Sequence, residues 1–169
     1  MDFFEPAYLV FFSRWLHVLS GIMWIGLLWY FNFVQIPSMP NIPDNEKPAI
    51  SKVIAPKALF WFRWAALATI ITGLSTAHLN GYLVNALTLG IIDGSQKDTA
   101  IGIGMWLGII MAYNVWMIIW PNQKIALGIV SANNDEKPLA GRKAMLFSRT
   151  NTALSIPMLY AMVSAQNLY

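Results

Sequence analysis

Four long apolar runs, separated by polar loops, dominate the hydrophobic pattern of the chain. Each run is close to or longer than the ~20 residues that an α-helix needs to cross a hydrocarbon core of ~30 Å. The pattern therefore predicts an all-α protein, a four-helix transmembrane bundle that forms a single integral membrane domain over residues 1–169. The predicted spans are residues 7–34, 58–80, 101–120 and 144–168.

Prolines are expected to set several ends of these spans. The prolines between residues 37 and 43 should end the first span, because proline interrupts a helix interior. The second span should open after Pro56, and Pro121 should stop the third. A further apolar stretch, residues 82–92, is too short to cross a membrane and is predicted to be an interfacial segment.

Composition supports a membrane protein. Hydrophobic residues make up 57% of the chain and charged residues 11%, whereas a soluble domain carries about 25% charged residues. The net charge of +3 is too small and scattered to favour nucleic acid, so the expected partner is the lipid bilayer. The absence of cysteine excludes disulfides, iron–sulfur clusters, thiolate ligands and c-type haem attachment.

Basic residues are concentrated in two of the three loops, which predicts an orientation. The second loop has only Lys97, set against Asp93 and Asp98, and the N-terminus offers Asp2 and Glu5. Under the positive-inside rule the first and third loops are cytoplasmic, and both termini lie outside, in the periplasm of a bacterial inner membrane. The basic residues of those two loops are Lys47, Lys52, Lys57, Lys124, Lys137, Arg142 and Lys143.

One titratable pair lies inside the first apolar run. Arg14 and His17 are three residues apart and share a helix face, which Gly21 continues one turn further on. Ionisable residues within a span are costly and mark functional sites. We predict that His17 ligates the iron of a haem b, that Arg14 pairs with a haem propionate, and that Gly21 lets the flat group approach closely. The alternative is a histidine hydrogen-bonded to a neighbouring helix.

The second histidine of the chain, His78, lies near the outer end of the second predicted span. It is the candidate for a second iron ligand, although helix rise places it about 5–10 Å shallower than His17. The alternative is an interfacial histidine. Two histidines without cysteine make a zinc or copper cage unsuitable, and the absence of carboxylates inside the spans leaves a di-iron site without ligands.

A possible polar patch lies toward the inner side and contains four residues. Arg63 stands among tryptophans, which is typical of an aromatic belt with a snorkelling arginine. Asn114 is better explained by a hydrogen bond between helices than by substrate contact. The weakest span contains Arg149, Asn151 and Pro157 and should therefore face protein partners rather than lipid.

Several stretches resemble the urate oxidase N-terminal membrane family, the integral-membrane urate hydroxylases. They follow the family order over most of the chain. A wider histidine-then-Trp-Ile-Gly pattern is also similar to membrane protoporphyrinogen oxidases and copper-resistance proteins. The stretches are Arg14–Val18 with Gly21 and Trp24–Gly26, Pro56–Trp64 with Thr72–Leu74, Asn114–Trp116, Trp120–Lys124, Ser148–Thr152 and Ser155–Met158.

The resemblance implies a haem-associated redox role, with His17 matching the family's first-helix histidine. It also implies an external C-terminus, because long family members carry a cytochrome c domain there. This chain ends at Tyr169 without that domain, so the expected electron acceptor is an external cytochrome c or another subunit. Two alternatives stay open: a non-catalytic accessory subunit of a larger respiratory or photosynthetic complex, and a protoporphyrinogen oxidase-like enzyme.

Overall fold

A computed structural model describes residues 5–92, 94–133 and 135–169. These described residues fold into helices, without a β-strand among them. Asp2 and Asp93, which entered the orientation argument, lie outside the described residues. The helices are α1 (Pro6–Asn41), α2 (Ala49–Leu79), the short α3 (Leu83–Leu87), α4 (Gln96–Ala126) and α5 (Glu136–Asn167).

The first apolar helix ends at Asn41, within the group of prolines expected to end it, whereas the second and third run past the prolines expected to bound them. The predictions that Pro121 stops the third helix and that the second opens after Pro56 are wrong. A π-helical turn precedes Pro37, Pro56 and Pro121, and the residue before each proline donates its N–H to the carbonyl five residues back. The wider turn makes room for the proline ring, which lacks an N–H and would clash in a regular α-turn.

Three helices, α1, α2 and α4, are both long and apolar enough to cross a membrane. The protein is therefore an all-helical, multi-pass membrane protein by length and composition. The fourth long helix, α5, has 32 residues but does not reach the same apolar content. The segment predicted to be interfacial contains only the five-residue α3, which is too short to cross.

Polar bonds tie α5 to α1 and α4, which explains its weak hydrophobicity. Trp29 Nε1 donates to Ser155 Oγ at 2.9 Å, and Asn32 Nδ2 donates to Ser148 Oγ at 2.8 Å. Asn151 Nδ2 donates to the carbonyl oxygen of Met111 at 2.9 Å. Hydrogen bonds of this kind join helices where water is excluded. The polar residues of α5 therefore serve contacts within the protein.

Two apolar cores lie along the helices. The larger one includes Trp24, Leu28, Phe62, Met111 and Val115 and lies toward the end that carries the basic loops, which we term the basic end. The smaller one forms where α3 packs on α4, around buried alanines and Ile101. This second core closes the opposite end of the protein around the candidate site.

Candidate functional site

A cavity of about 590 Å³ lies between the four long helices. Its volume falls within the ~300–1,000 Å³ typical of sites for small molecules and cofactors. Its wall is mainly apolar, with few polar groups. The residues that line it include Arg14, His17 and Gly21 from α1, Thr69 and Gly73 from α2, Met105 from α4, and Met158 and Met162 from α5.

His17 is oriented by a backbone carbonyl of α2. Its Nδ1 lies 2.9 Å from the carbonyl oxygen of Thr69. Because a carbonyl oxygen only accepts hydrogen bonds, Nδ1 must carry the proton and donate it. In the neutral ring Nε2 then keeps its lone pair, the arrangement found in histidines that ligate metals. The alternative prediction, a hydrogen bond from His17 to a neighbouring helix, is thus confirmed, and this bond leaves Nε2 available.

Gly73 provides the space in which the His17 ring lies. A Cβ atom built on Gly73 would stand 2.8 Å from His17 Cε1 and 3.0 Å from Nδ1. A contact of 2.8 Å is shorter than real Cβ atoms make, so a side chain at this position would displace the ring, and glycine leaves it in place. The close-approach role was predicted for Gly21 instead. Gly21 does line the cavity, but a Cβ there would make only an ordinary contact of 3.9 Å with Thr69.

Arg14 lies one turn from His17 and lines the same cavity, together with Tyr82. The Arg14 side chain is exposed and forms no ion pair with any residue the structure describes. Burial raises the pKa of Tyr82, and the nearby Arg14 charge opposes that rise. The structure thus brings Arg14, His17 and Gly21 to one cavity, with an arginine charge beside Tyr82.

His78 is placed differently from the other predicted ligand. It lies exposed in the last turn of α2 and does not line the cavity. His17 contacts α2 at Thr69 and Gly73, so His78 stands five residues beyond that contact, or about 7.5 Å along the helix. The axial offset anticipated from the sequence is therefore present in the described fold.

Three methionines on the cavity wall were not singled out from the sequence. Met105, Met158 and Met162 line the side formed by α4 and α5. Met162 packs into a notch at Gly104, where a Cβ would stand 3.2 Å from its sulfur. Methionine at helical spacing is ordinarily core packing, so the sequence carried no signal that separated these residues from the rest. A thioether is nevertheless a recognised axial ligand of haem iron.

The possible polar patch does not form one accessible site. Asn114 Nδ2 donates to Asn151 Oδ1 at 2.8 Å, and Asn151 has no exposed surface. The interpretation of Asn114 as a hydrogen-bonding residue between helices is confirmed. Arg149 is exposed on α5, whereas Arg63 is buried beneath Trp120, with its guanidinium carbon 3.4 Å from the ring centroid.

A metal bound by the described residues would have fewer than three histidine or acidic ligands. No group of three or more histidine or acidic side chains comes together among them. A haem needs only one or two axial ligands from the protein, because the porphyrin supplies four nitrogens. The donor set at the cavity is therefore compatible with haem and unsuited to a bare metal ion.

The comparison with known families covers the C-terminal half of this architecture. Residues 94–168 match the family described as urate oxidase N-terminal. That range contains α4 and α5 with the asparagine and proline motifs quoted above, and it leaves out the α1 motif around His17. No curated protein and no solved structure matches the chain. The family that its sequence motifs indicated is thus confirmed as the one this chain resembles over residues 94–168.

Proposed function

We propose that this membrane protein, related to the urate oxidase N-terminal family, is a haem b-binding subunit that transfers electrons to an external cytochrome c or to neighbouring subunits. The observation that carries the proposal is the distance of 2.9 Å between His17 Nδ1 and the Thr69 carbonyl oxygen: a carbonyl only accepts, so Nδ1 donates, and Nε2 is left as a candidate ligand in a large apolar cavity. Haem b, when bound, would supply a one-electron couple within the membrane.

Each residue at the cavity has a distinct task in this proposal. His17 ligates through Nε2, and Thr69 fixes its ring through Nδ1. Gly73 keeps the space of the ring open, and Arg14 offers a positive charge to a carboxylate at the cavity mouth. The methionines of α4 and α5 supply a polarizable wall opposite α1. His78 ligation stays a separate prediction, because its side chain is exposed.

The direct test is a reduced-minus-oxidised absorption spectrum of the purified, folded protein. Soret and α bands with a pyridine adduct typical of haem b would support the proposal. A colourless protein with intact helical circular dichroism, purified from cells supplied with haem precursor, would refute it.

We further propose that α5 is a fourth crossing and that both termini lie outside. Its polar side chains bond to α1 and α4, which reduces the cost of placing a weakly apolar helix in lipid. A cysteine added after Tyr169 should react with an impermeant maleimide in spheroplasts, which expose the periplasmic face. A cysteine at Lys52 should react only after lysis. The reverse labelling pattern would overturn the orientation.

A function as an accessory subunit is the second candidate, and the exposed face of α5 favours it. Arg149 and Thr150 are exposed there beside the apolar residues Leu146 and Ile156, a mixture that suits a protein partner better than lipid. Mild-detergent native electrophoresis of membranes from the source cells tests this function. Migration with a defined larger complex, lost in Arg149→Leu, would support it, and migration as the isolated chain would exclude it.

Arg14→Gln should lower the redox potential and weaken haem retention without removing the iron ligand. The reason is that a haem carboxylate left without a positive neighbour favours the ferric state, and Arg14 has no other ion-pair partner among the described residues. Potentiometric titration followed at the α band measures the shift. Lys52→Gln, which removes a charge at the basic end, is the control and should leave the potential unchanged. Equal potentials in wild type and Arg14→Gln would show that Arg14 only reaches toward the interface.

A further inference from the structure

A buried arginine at the other end of the protein has no polar partner among the described residues. Arg63 on α2 is 9% exposed, and two of its guanidinium nitrogens, Nε and Nη1, are buried without a hydrogen bond to any described residue. Leaving a buried charge unpaired costs several kcal/mol in general, so such groups occur with a counter-charge. The third nitrogen, Nη2, is not among these buried atoms, so the guanidinium can be reached from the protein surface.

Two cations, Arg63 and Lys124, lie near the ring of Trp120. The Arg63 guanidinium carbon stands 3.4 Å from the ring centroid, and Lys124 Nζ stands 5.8 Å from it. Stacking on an aromatic ring offsets part of the desolvation cost of each cation. It does not compensate the repulsion between the two cations, and it provides no acceptor for their hydrogen-bond donors. Another donor, Trp116 Nε1, lies one turn before Trp120 and is also buried without a partner in the described part of the chain.

Within residues 5–92, 94–133 and 135–169, no acidic side chain neutralises this pair. The ion pair found among the described residues joins Lys47 to Asp44 in the first loop and leaves Arg63 and Lys124 without a carboxylate. The amide oxygens of Gln35 and Gln123 also lack partners in the part of the chain that the structure describes, but these residues line a separate cavity of about 250 Å³ and carry no charge. The unpaired donors and the two positive charges suit an anion with several acceptor oxygens.

We propose that Arg63 and Lys124, stacked on Trp120, bind the phosphate of an anionic phospholipid at the basic end of the protein. A phosphate oxygen pair matches the fork of the guanidinium, and the ammonium of Lys124 adds a second positive charge. The surroundings suit a lipid rather than a soluble anion. Trp61 and Trp64 flank Arg63 with exposed rings, as aromatic residues do at the level of lipid headgroups. The site is separate from the His17 cavity and does not depend on haem.

The test measures lipid binding by the delipidated full chain in a neutral detergent. Phosphatidylglycerol, phosphatidylcholine and inorganic phosphate are titrated separately, with native mass spectrometry and thermal shift as readouts. We expect one tightly held phosphatidylglycerol, at least about tenfold weaker binding in Arg63→Gln, and a smaller loss in Lys124→Gln. Arg149→Gln is the matched control, because it removes an arginine charge from an exposed position and should bind as the wild type does.

Arg63→Lys guards against a variant that fails to fold, since it keeps the charge while it removes the guanidinium fork. It should bind phosphatidylglycerol more weakly than the wild type and better than Arg63→Gln. Equal lipid binding by the wild type and Arg63→Gln would overturn the proposal. Equal affinity for phosphatidylglycerol and phosphatidylcholine would do the same, and so would saturation by inorganic phosphate alone, which would make the ligand a soluble anion.

Discussion

Replacement of His17 by alanine is expected to abolish the haem spectrum, with at least about a tenfold loss of haem affinity. Loss of an outer-shell partner alone costs metal sites 10–100-fold in typical cases, and this variant removes the ligand itself. The reduced-minus-oxidised spectrum at equal protein concentration measures the effect. The protein should stay folded, because the ring contributes only a hydrogen bond to the Thr69 carbonyl and a longer contact of 3.4 Å with Thr72 Oγ1, while the main core lies elsewhere.

His78→Ala is the matched control, since it removes the second histidine of the chain from an exposed position. We expect its spectrum and potential to equal those of the wild type. An unchanged spectrum in His17→Ala would refute the haem pose. Loss of the spectrum in His78→Ala would instead show that α2 shifts along its axis to bring both histidines to the iron.

Gly73→Ala is expected to destabilise the protein by about 1–3 kcal/mol, the usual cost of forcing extra atoms into a packed site. The added methyl group would meet the His17 ring at 2.8 Å and push it away from the Thr69 carbonyl. A lower midpoint of thermal unfolding in detergent measures the loss, and weaker haem binding should accompany it. The second effect follows because the displaced ring no longer holds Nε2 toward the cavity.

Gly26→Ala supplies the control for the effect of alanine on a helix. A Cβ at Gly26 meets no atom within 4 Å, although this glycine also lines the cavity. Alanine is favoured over glycine in a helix by about 0.5–1 kcal/mol, so this variant should be as stable as the wild type or more stable. If both variants unfold at the same temperature, His17 does not pack against Gly73 in the way described.

The sequence predicted which segments are helical better than it predicted where the helices begin and end. The second span was expected to open after Pro56 and the third to stop at Pro121, yet both prolines lie within long helices. The π-turns before them, Ala49–Ile54 and Asn114–Ile119, relocate the backbone bonds that proline would break. A helix can either end at a proline or continue past it through a π-turn. Which of the two occurs depends on packing against neighbouring helices, and the local sequence carries no information on that packing.

By itself the sequence determined the all-helical membrane character, the likeness to the urate oxidase N-terminal family, and the shared face of Arg14, His17 and Gly21. These features are local, because residues three and four positions apart on one helix must be neighbours.

Only the tertiary structure decided that Nδ1 of His17 meets the Thr69 carbonyl and that Gly73 makes the space for its ring. It also decided that Asn114 bonds to Asn151 and that Arg63 lies beneath Trp120. These contacts depend on how far each helix is rotated and shifted along its axis against the next, and the hydrophobic periodicity of a single helix leaves both quantities free.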